Sequence, residues 1–180
     1  MTAYILFTKG IDQDSATTLV DTLLAAAAAN EPDAYILMNS PGGQVISGMY
    51  LHNVLRSLPL RITTHNIGNV DSISNVIFLA GETRRACQPA TFMFHGIGFD
   101  ILQPTRLEEN NVRARLDSIV ADHTRIGGVI SARTNLTLGR ARTLFREQRV
   151  RDTAWALQHG FIQEIADPQT PAGVAIKQIV

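Results

Sequence analysis

The sequence predicts an α/β fold with a mainly parallel sheet, and three observations predict it. Short apolar runs rich in β-branched and aromatic residues alternate with longer stretches of helical spacing. That alternation, strand then helix several times over, implies parallel strands joined by right-handed crossovers. The length and composition, 180 residues with 45% hydrophobic and 18% charged, suit one domain over 1–180 with a substantial core.

Tyr4 to Phe7 reads as a buried strand. Asp12 and Asp14 then offer helix caps, followed by Ala16, Leu19, Val20, Leu23 and Ala27 at helical spacing, with Asn30 and Pro32 as the stop. Ala34 to Met38 is a second strand and runs into Asn39-Ser40-Pro41-Gly42-Gly43, a tight turn with unhindered backbone N–H groups. Leu51, Val54, Leu55 and Leu58 share one helix face, which Pro59 ends. A third strand covers Arg61–Ile67. Gly68 and small polar residues follow, then an apolar run that reads as a buried helix to about Gly81. A turn around Arg84 to Ala90 leads to a strand over Thr91–His95. Gly96 to Asp100 is an extension, and a long helix starts near Pro104, with Val112, Leu116, Ile119, His123, Ile126 and Ile130 roughly on one stripe. His123 there reads as a packing or interface residue. Thr137 opens a shorter helix, Gly160 caps another after Trp155, and short strands cover Phe161–Ile165 and Val174–Val180.

Sixteen basic residues balance sixteen acidic ones, so no basic surplus argues for nucleic acid. Low net charge in so apolar a chain fits an oligomer. The single cysteine, Cys87, excludes an intramolecular disulfide and a thiolate metal cluster, and reads as a small packing residue. No two histidines sit at i, i+4 with a nearby carboxylate, so no metal is expected, nor any cofactor. The N-terminus lacks the pattern of a signal peptide and no apolar run approaches a membrane span, so a cytoplasmic, non-membrane protein is expected.

Sheets of this class bind ligands where loops leave the carboxyl ends of strands. Three features fall there: the Gly42-Gly43 turn, Ser72 and His95. A serine at a strand-to-helix junction is placed to act as a nucleophile, or simply to cap the helix. It is not a G-x-S-x-G elbow, since Val70 and Ser74 flank it. His95 is a candidate base or merely the end of a strand. Gly43 and the N–H of Ile73 are candidate oxyanion donors, and the glycine pair alone reads equally as an ordinary turn. Together these residues suit acyl transfer: hydrolysis of a peptide, ester or thioester.

Four segments resemble the ClpP family of serine peptidases. They are Met38 to Met49, with its Asn-Ser-Pro-Gly-Gly turn; Gly68 to Leu79; Met93-Phe94-His95; and Trp155 to Ile162. The resemblance runs from about Tyr4 to Ile165. It implies a crotonase-like fold of repeated ββα units, with a handle helix over about 97–133 that joins rings. It implies Ser72 as nucleophile, His95 as base, and Gly43 and Ile73 as oxyanion donors. The partners it implies are further copies of the chain in a single ring or in stacked rings, and a peptide or unfolded-protein substrate.

This sequence departs from the family at three places. An ungapped alignment puts Gln148 where the family has the third triad residue, an Asp; Asp152 or Glu147 is the alternative if the loop is rearranged. Asp71 precedes Ser72 and Ser74 replaces a Gly, where the family keeps small uncharged residues. Asp71 either points inward and acts on His95 or faces solvent. The chain also begins at the first core strand, without the family's pore-lining segment, which leaves an ATPase unfoldase partner an open question. A catalytically impaired homologue with a structural or regulatory role is the alternative function, and an acyl-CoA enzyme of the crotonase type a third.

Overall fold

The computed structural model describes residues 1–98, 106 and 108–180. The chain runs β1 (Thr2–Phe7), α1 (Gln13–Ala28), β2 (Asp33–Ser40), α2 (Val45–Ser57), β3 (Arg61–Asp71), α3 (Ser74–Phe78), β4 (Thr83–Ala86) and β5 (Thr91–Met93). It continues with α4 (Glu109–Arg133), α5 (Leu138–Glu147), β6 (Val150–Asp152), α6 (Thr153–Gln158), β7 (Glu164–Ile165) and β8 (Ile176–Ile179). One sheet holds these strands in the order β6-β5-β3-β2-β1-β8, with β4 joining β3 to β7. Every pairing is parallel except β5 with β6. This is the α/β, mainly parallel architecture that the alternating pattern predicts.

Local chemistry explains the first half. Asp12 and Ser15 form a reciprocal capping box that starts α1. Ala16, Leu19 and Leu23 of that helix share one buried cluster with Ile5 and Phe7 of β1 and Ile36 and Met38 of β2. Asn30 takes the left-handed conformation that turns the chain toward β2.

Gly68 does not end the third strand. β3 continues to Asp71 and carries two extra residues opposite β2, since Met38 pairs Asn66 while Ser40 pairs Val70. A bulge of this kind bends a strand and lets it serve two neighbours. Thr63 to Asn66 pairs with β4, and Asn69 to Asp71 pairs with β5. Asparagine side chains satisfy the bulge. Asn39 Oδ1 accepts from the Asn69 N–H (2.9 Å), Asn66 Oδ1 accepts from the Gly68 N–H (3.0 Å), and Asn66 Nδ2 donates to the Thr91 carbonyl (2.8 Å). The stretch read as a turn from Arg84 therefore contains β4, whose alternate residues Arg84 and Ala86 are buried. An inward arginine hides the strand pattern.

The apolar run after Ser72 is shorter as a helix than its composition suggests. α3 has five residues, and the chain then turns through Leu79 to Gly81. The expected strands at Thr91–His95, Phe161–Ile165 and Val174–Val180 shorten to β5, β7 and β8. Pro104, where the sequence starts the long helix, lies outside the described residues, and α4 is described from Glu109. Ile126, Gly127 and Ile130 are its buried positions, whereas Val112, Leu116 and Val120 are exposed.

Two contacts hold the C-terminal half against the sheet. The first is an aromatic cluster. Phe94 packs on Phe145, Trp155 and Phe161, with ring centres 5.8, 6.0 and 5.6 Å apart. The second is Arg84, whose guanidinium donates to the carbonyls of Gly81, Arg133, Gly160 and Phe161. Burial lowers its pKa to about 10, so it stays charged at neutral pH. Replacing Arg84 with methionine keeps volume but strands the Arg133, Gly160 and Phe161 carbonyls, while Gly81 keeps its bond from Arg133. We expect a loss of about 3 kcal/mol or more, read as a lower denaturant midpoint at unchanged slope.

Candidate functional site

Ser72 sits where β3 ends and α3 has not begun, with φ 56°. A non-glycine residue in the left-handed region costs about 1–3 kcal/mol and persists only where the surroundings impose it. Here they do. The Ser72 N–H donates to the Met93 carbonyl (2.8 Å), and the Ser72 carbonyl accepts from both the N–H and the side-chain amide of Asn75. The same Asn75 amide donates to Met93, so it ties the turn to β5. The alternative reading of Ser72 as a helix cap does not hold: Ile73 occupies the cap position of α3, and no side chain bonds there. Among the described residues the Ser72 hydroxyl has no hydrogen-bond partner.

The glycine turn lies directly against this serine. Gly42 has φ 90°, and a Cβ on it would stand 2.6 Å from Ser72 Cβ and 3.3 Å from its Oγ. Gly43 has φ 151°, and a Cβ there would meet the Ile11 carbonyl oxygen at 2.2 Å. A single bridge to Ile11 flanks Gly43. It uses the Gly42 carbonyl (2.8 Å from the Ile11 N–H) and the Gln44 N–H (2.7 Å from the Ile11 carbonyl). The N–H of Gly43 itself is left without an acceptor among the described residues, and so is that of Ile73. Buried serines brace the turn from behind. Ser74 Oγ donates to Ser40 Oγ (2.7 Å), and Ser40 Oγ donates to the Lys9 carbonyl (2.7 Å).

His95 follows β5 and is exposed. Its neighbour Phe94 is fully buried in the aromatic cluster and donates its N–H to the Arg149 carbonyl (3.1 Å). His95 Nδ1 lies 2.8 Å from the Gly96 carbonyl oxygen. A carbonyl only accepts, so Nδ1 carries the proton and Nε2 is the basic nitrogen of the neutral ring. The strand register sets Asp71 opposite Met93, two residues from His95.

Gln148 ends α5 with φ 48°, the other left-handed non-glycine residue of this region. Its Nε2 lies 3.8 Å from where a Gly96 Cβ would be, so the amide borders the residue that holds His95. It makes no hydrogen bond to His95 among those the described residues form. The two alternative carboxylates are engaged elsewhere. Asp152 caps α6 by accepting from the Trp155 N–H (2.8 Å), and Glu147 pairs with Arg140 and Arg151.

Asp71 is half-buried rather than solvent-facing, and its Oδ1 is buried with no hydrogen-bond partner among the described residues. Burial pushes its carboxyl above the usual carboxylate range. The Met93 backbone, the Asn69 side chain and the charge of His95 pull it partly back. Three of the remaining histidines, His52, His65 and His123, are held by structural contacts. Burial depresses His65, which contacts the Tyr35 hydroxyl and the Ala166 carbonyl, and likewise His52, whose Nδ1 meets the Val76 carbonyl. His123 takes the Ile97 N–H and packs beside Phe145. Cys87 is a free thiol packed against the core, 3.7 Å from His65.

A surface cleft lined by Tyr4, Asp33, Tyr35, Arg61 and Arg85 lies at the amino ends of the strands, away from Ser72. Among the described residues no group of three His, Cys, Asp or Glu side chains is arranged to hold a metal ion, and no helix is long and apolar enough to cross a membrane. A hydroxyl on a strained turn, two N–H groups without an acceptor among the described residues and an imidazole with a basic Nε2 are the parts that acyl transfer uses. Sequence reading missed Asn75, Ser40 and Ser74, which hold the turn. Their signal, small polar residues inside an apolar run, is visible only once the turn is known.

Comparison with known proteins gives a consistent picture. The family model "Clp protease" matches residues 1–169. The ATP-dependent Clp protease proteolytic subunit 3 of Rhizobium etli is 33% identical over 123 residues, covering 63% of this chain and 63% of that protein. Subunit 2 of a Synechococcus species is 25% identical over 174 residues, covering 95% of this chain and 86% of that one. The alignments with the Rhizobium relatives span 63 to 65% of those proteins' own length. Among solved structures, a ClpP1 mutant from Listeria monocytogenes superposes with a TM-score of 0.79 at 22% identity, over 93% of this chain and 92% of that one. This likeness establishes the fold.

Proposed function

Because the chain belongs to the Clp protease family, we propose that it is a serine-type endopeptidase acting on peptides or unfolded chains. In this reading Ser72 is the nucleophile, His95 the general base, and the N–H groups of Gly43 and Ile73 the oxyanion donors. Ser72 Oγ attacks the scissile carbonyl and passes its proton to His95 Nε2. The carbonyl oxygen gains charge between the two N–H groups. His95 then protonates the leaving amine, and water repeats the sequence on the acyl-serine to release the acid.

The observation that carries the reading is Ser72 itself. Its strained φ is costly, its hydroxyl is unused for capping, and Gly42 is pressed against it. Strain of this kind gathers at functional sites. We further propose that 1–180 is one peptidase domain, that copies assemble as a ring enclosing the serines, and that the protein works in the cytoplasm. The exposed Val112, Leu116 and Val120 of α4 and the naming of the relatives as proteolytic subunits support assembly. The test is hydrolysis of a small fluorogenic peptide by the purified oligomer. Turnover that depends on Ser72 supports the reading, and its absence in a properly assembled sample overturns it.

A second reading, a catalytically impaired homologue, is favoured by one observation: Gln148, Asp152 and Glu147 place no carboxylate on His95. A glutamine at the third position is neutral and supplies no charge to an imidazolium. In a serine triad, replacing the carboxylate by its amide costs about 10⁴ in rate. Gln148→Asp is therefore expected to raise turnover, by about tenfold or more, measured as kcat on the fluorogenic peptide. An unchanged kcat would show that position 148 does not act on His95.

A further inference from the structure

We propose that Asp71, the residue just before the serine, supplies the negative charge that steadies the protonated His95 ring. The inference rests on the assignment of Ser72 and His95 above. Three features of the fold carry it. First, the register β3–β5 puts Asp71 opposite Met93, and His95 stands two residues further on, the spacing that returns an extended chain to the same side of a sheet. Second, the Asp71 carboxyl turns into the protein: Oδ1 is buried and has no hydrogen-bond partner among the described residues. An unpaired buried acceptor next to a reacting pair is costly, and such groups call for a functional account. Third, the other acids near this corner are committed, Asp152 to the α6 N-terminus and Glu147 to two arginines.

The charges around Asp71 agree with this. On its own strand the neighbour is the Asn69 amide, on β5 it is the Met93 backbone, and among the described residues the ionisable group whose charge acts on it is His95. Burial keeps the carboxyl above the normal range, which makes a nearby cation the partner it lacks. The division of labour then differs from a triad built on one carboxylate. The Gly96 carbonyl fixes the tautomer by accepting from Nδ1 (2.8 Å), and Asp71 provides the charge. Asp71 touches no reacting atom and is a positioning residue acting through His95.

The test is the pH dependence of Ser72 labelling by a fluorophosphonate on the assembled protein. Neutral His95 is the competent base, so the rate falls where the ring is protonated. Removing a negative charge destabilises the imidazolium and moves that acid limb to lower pH. Asp71→Asn, near-isosteric, is expected to shift the acid limb down by about half a unit to one unit and to cut the plateau rate by about tenfold or more. Asp71→Glu should restore the limb. Asp71→Asn with Gln148→Asp should recover the plateau, because a carboxylate then approaches from the α5 side. An acid limb unmoved in Asp71→Asn, with a plateau within about twofold of the wild type, overturns the proposal. So does a drop in plateau that the double variant fails to recover while the limb stays fixed, which is the signature of a merely structural role. Failure of the underlying assignment looks different: the wild type itself is then not labelled at Ser72 at any pH.

Discussion

Ser72→Ala is expected to lower peptide hydrolysis by about 10²–10³-fold. Removing the nucleophile of an intact triad costs far more, about 10⁶ in kcat for the case that is best measured. The smaller figure here follows from Gln148. An enzyme whose His95 Nδ1 is held by the Gly96 carbonyl instead of a carboxylate has less to lose before it reaches the rate that oxyanion donors and binding alone sustain. The same residue predicts a trade against stability. Ser72 has φ 56°, which glycine adopts without penalty. Ser72→Gly should therefore abolish turnover and raise stability by roughly 1 kcal/mol, a net of relieved strain against the added entropy of the unfolded chain. Kinetics on the fluorogenic peptide and denaturant unfolding read the two effects separately. A fully active Ser72→Ala would remove the serine from the chemistry.

Gly43→Ala is the second large effect. Gly43 has φ 151°, and an added Cβ would press on the Ile11 carbonyl oxygen at 2.2 Å. The turn must shift, and the Gly43 N–H shifts with it. Loss of one oxyanion donor costs about 10²–10³ in kcat. We expect a fall in kcat of that size with little change in KM, because the contact strengthens in the transition state rather than in the bound substrate. Stability should fall by about 1–3 kcal/mol from the same clash. A fall confined to KM would place Gly43 in substrate binding instead.

Most of the architecture was legible in the sequence because periodicity and turn chemistry agree in the first half. Tyr4–Phe7 and Ala34–Met38 are apolar runs, the second buried on both faces and the first on one face with the other half-buried, and Asp12 with Pro32 brackets the first helix. What escaped was wherever one residue does two jobs. Gly68 looks like the end of a strand, yet two asparagines satisfy the bulge around it and β3 runs on to Asp71. Arg84 looks like a loop residue, yet it is buried in β4, gathering four carbonyls from three segments of backbone. The apolar run after Ser72 looks like a full helix, yet Ile77, Phe78 and Leu79 are buried by the tertiary core and need only one turn of it.

The candidate site was legible as residue types at strand ends, and its energetics were not. Positive φ at Ser72 and Gln148 cannot be read from residues that rarely adopt it. The inward turn of Asp71 was one of two readings, because an acid at the last position of a strand faces either way according to a register that only the bulge decides. That register is also why a charge lost at position 148 has a possible replacement on β3.

The most direct measurement is the mass of the intact, assembled protein after a fluorophosphonate, with the modified peptide mapped. The account predicts one adduct per chain, on Ser72, formed by the folded protein and absent from the denatured one. No adduct, or one carried by another residue while Ser72 stays free, would contradict it.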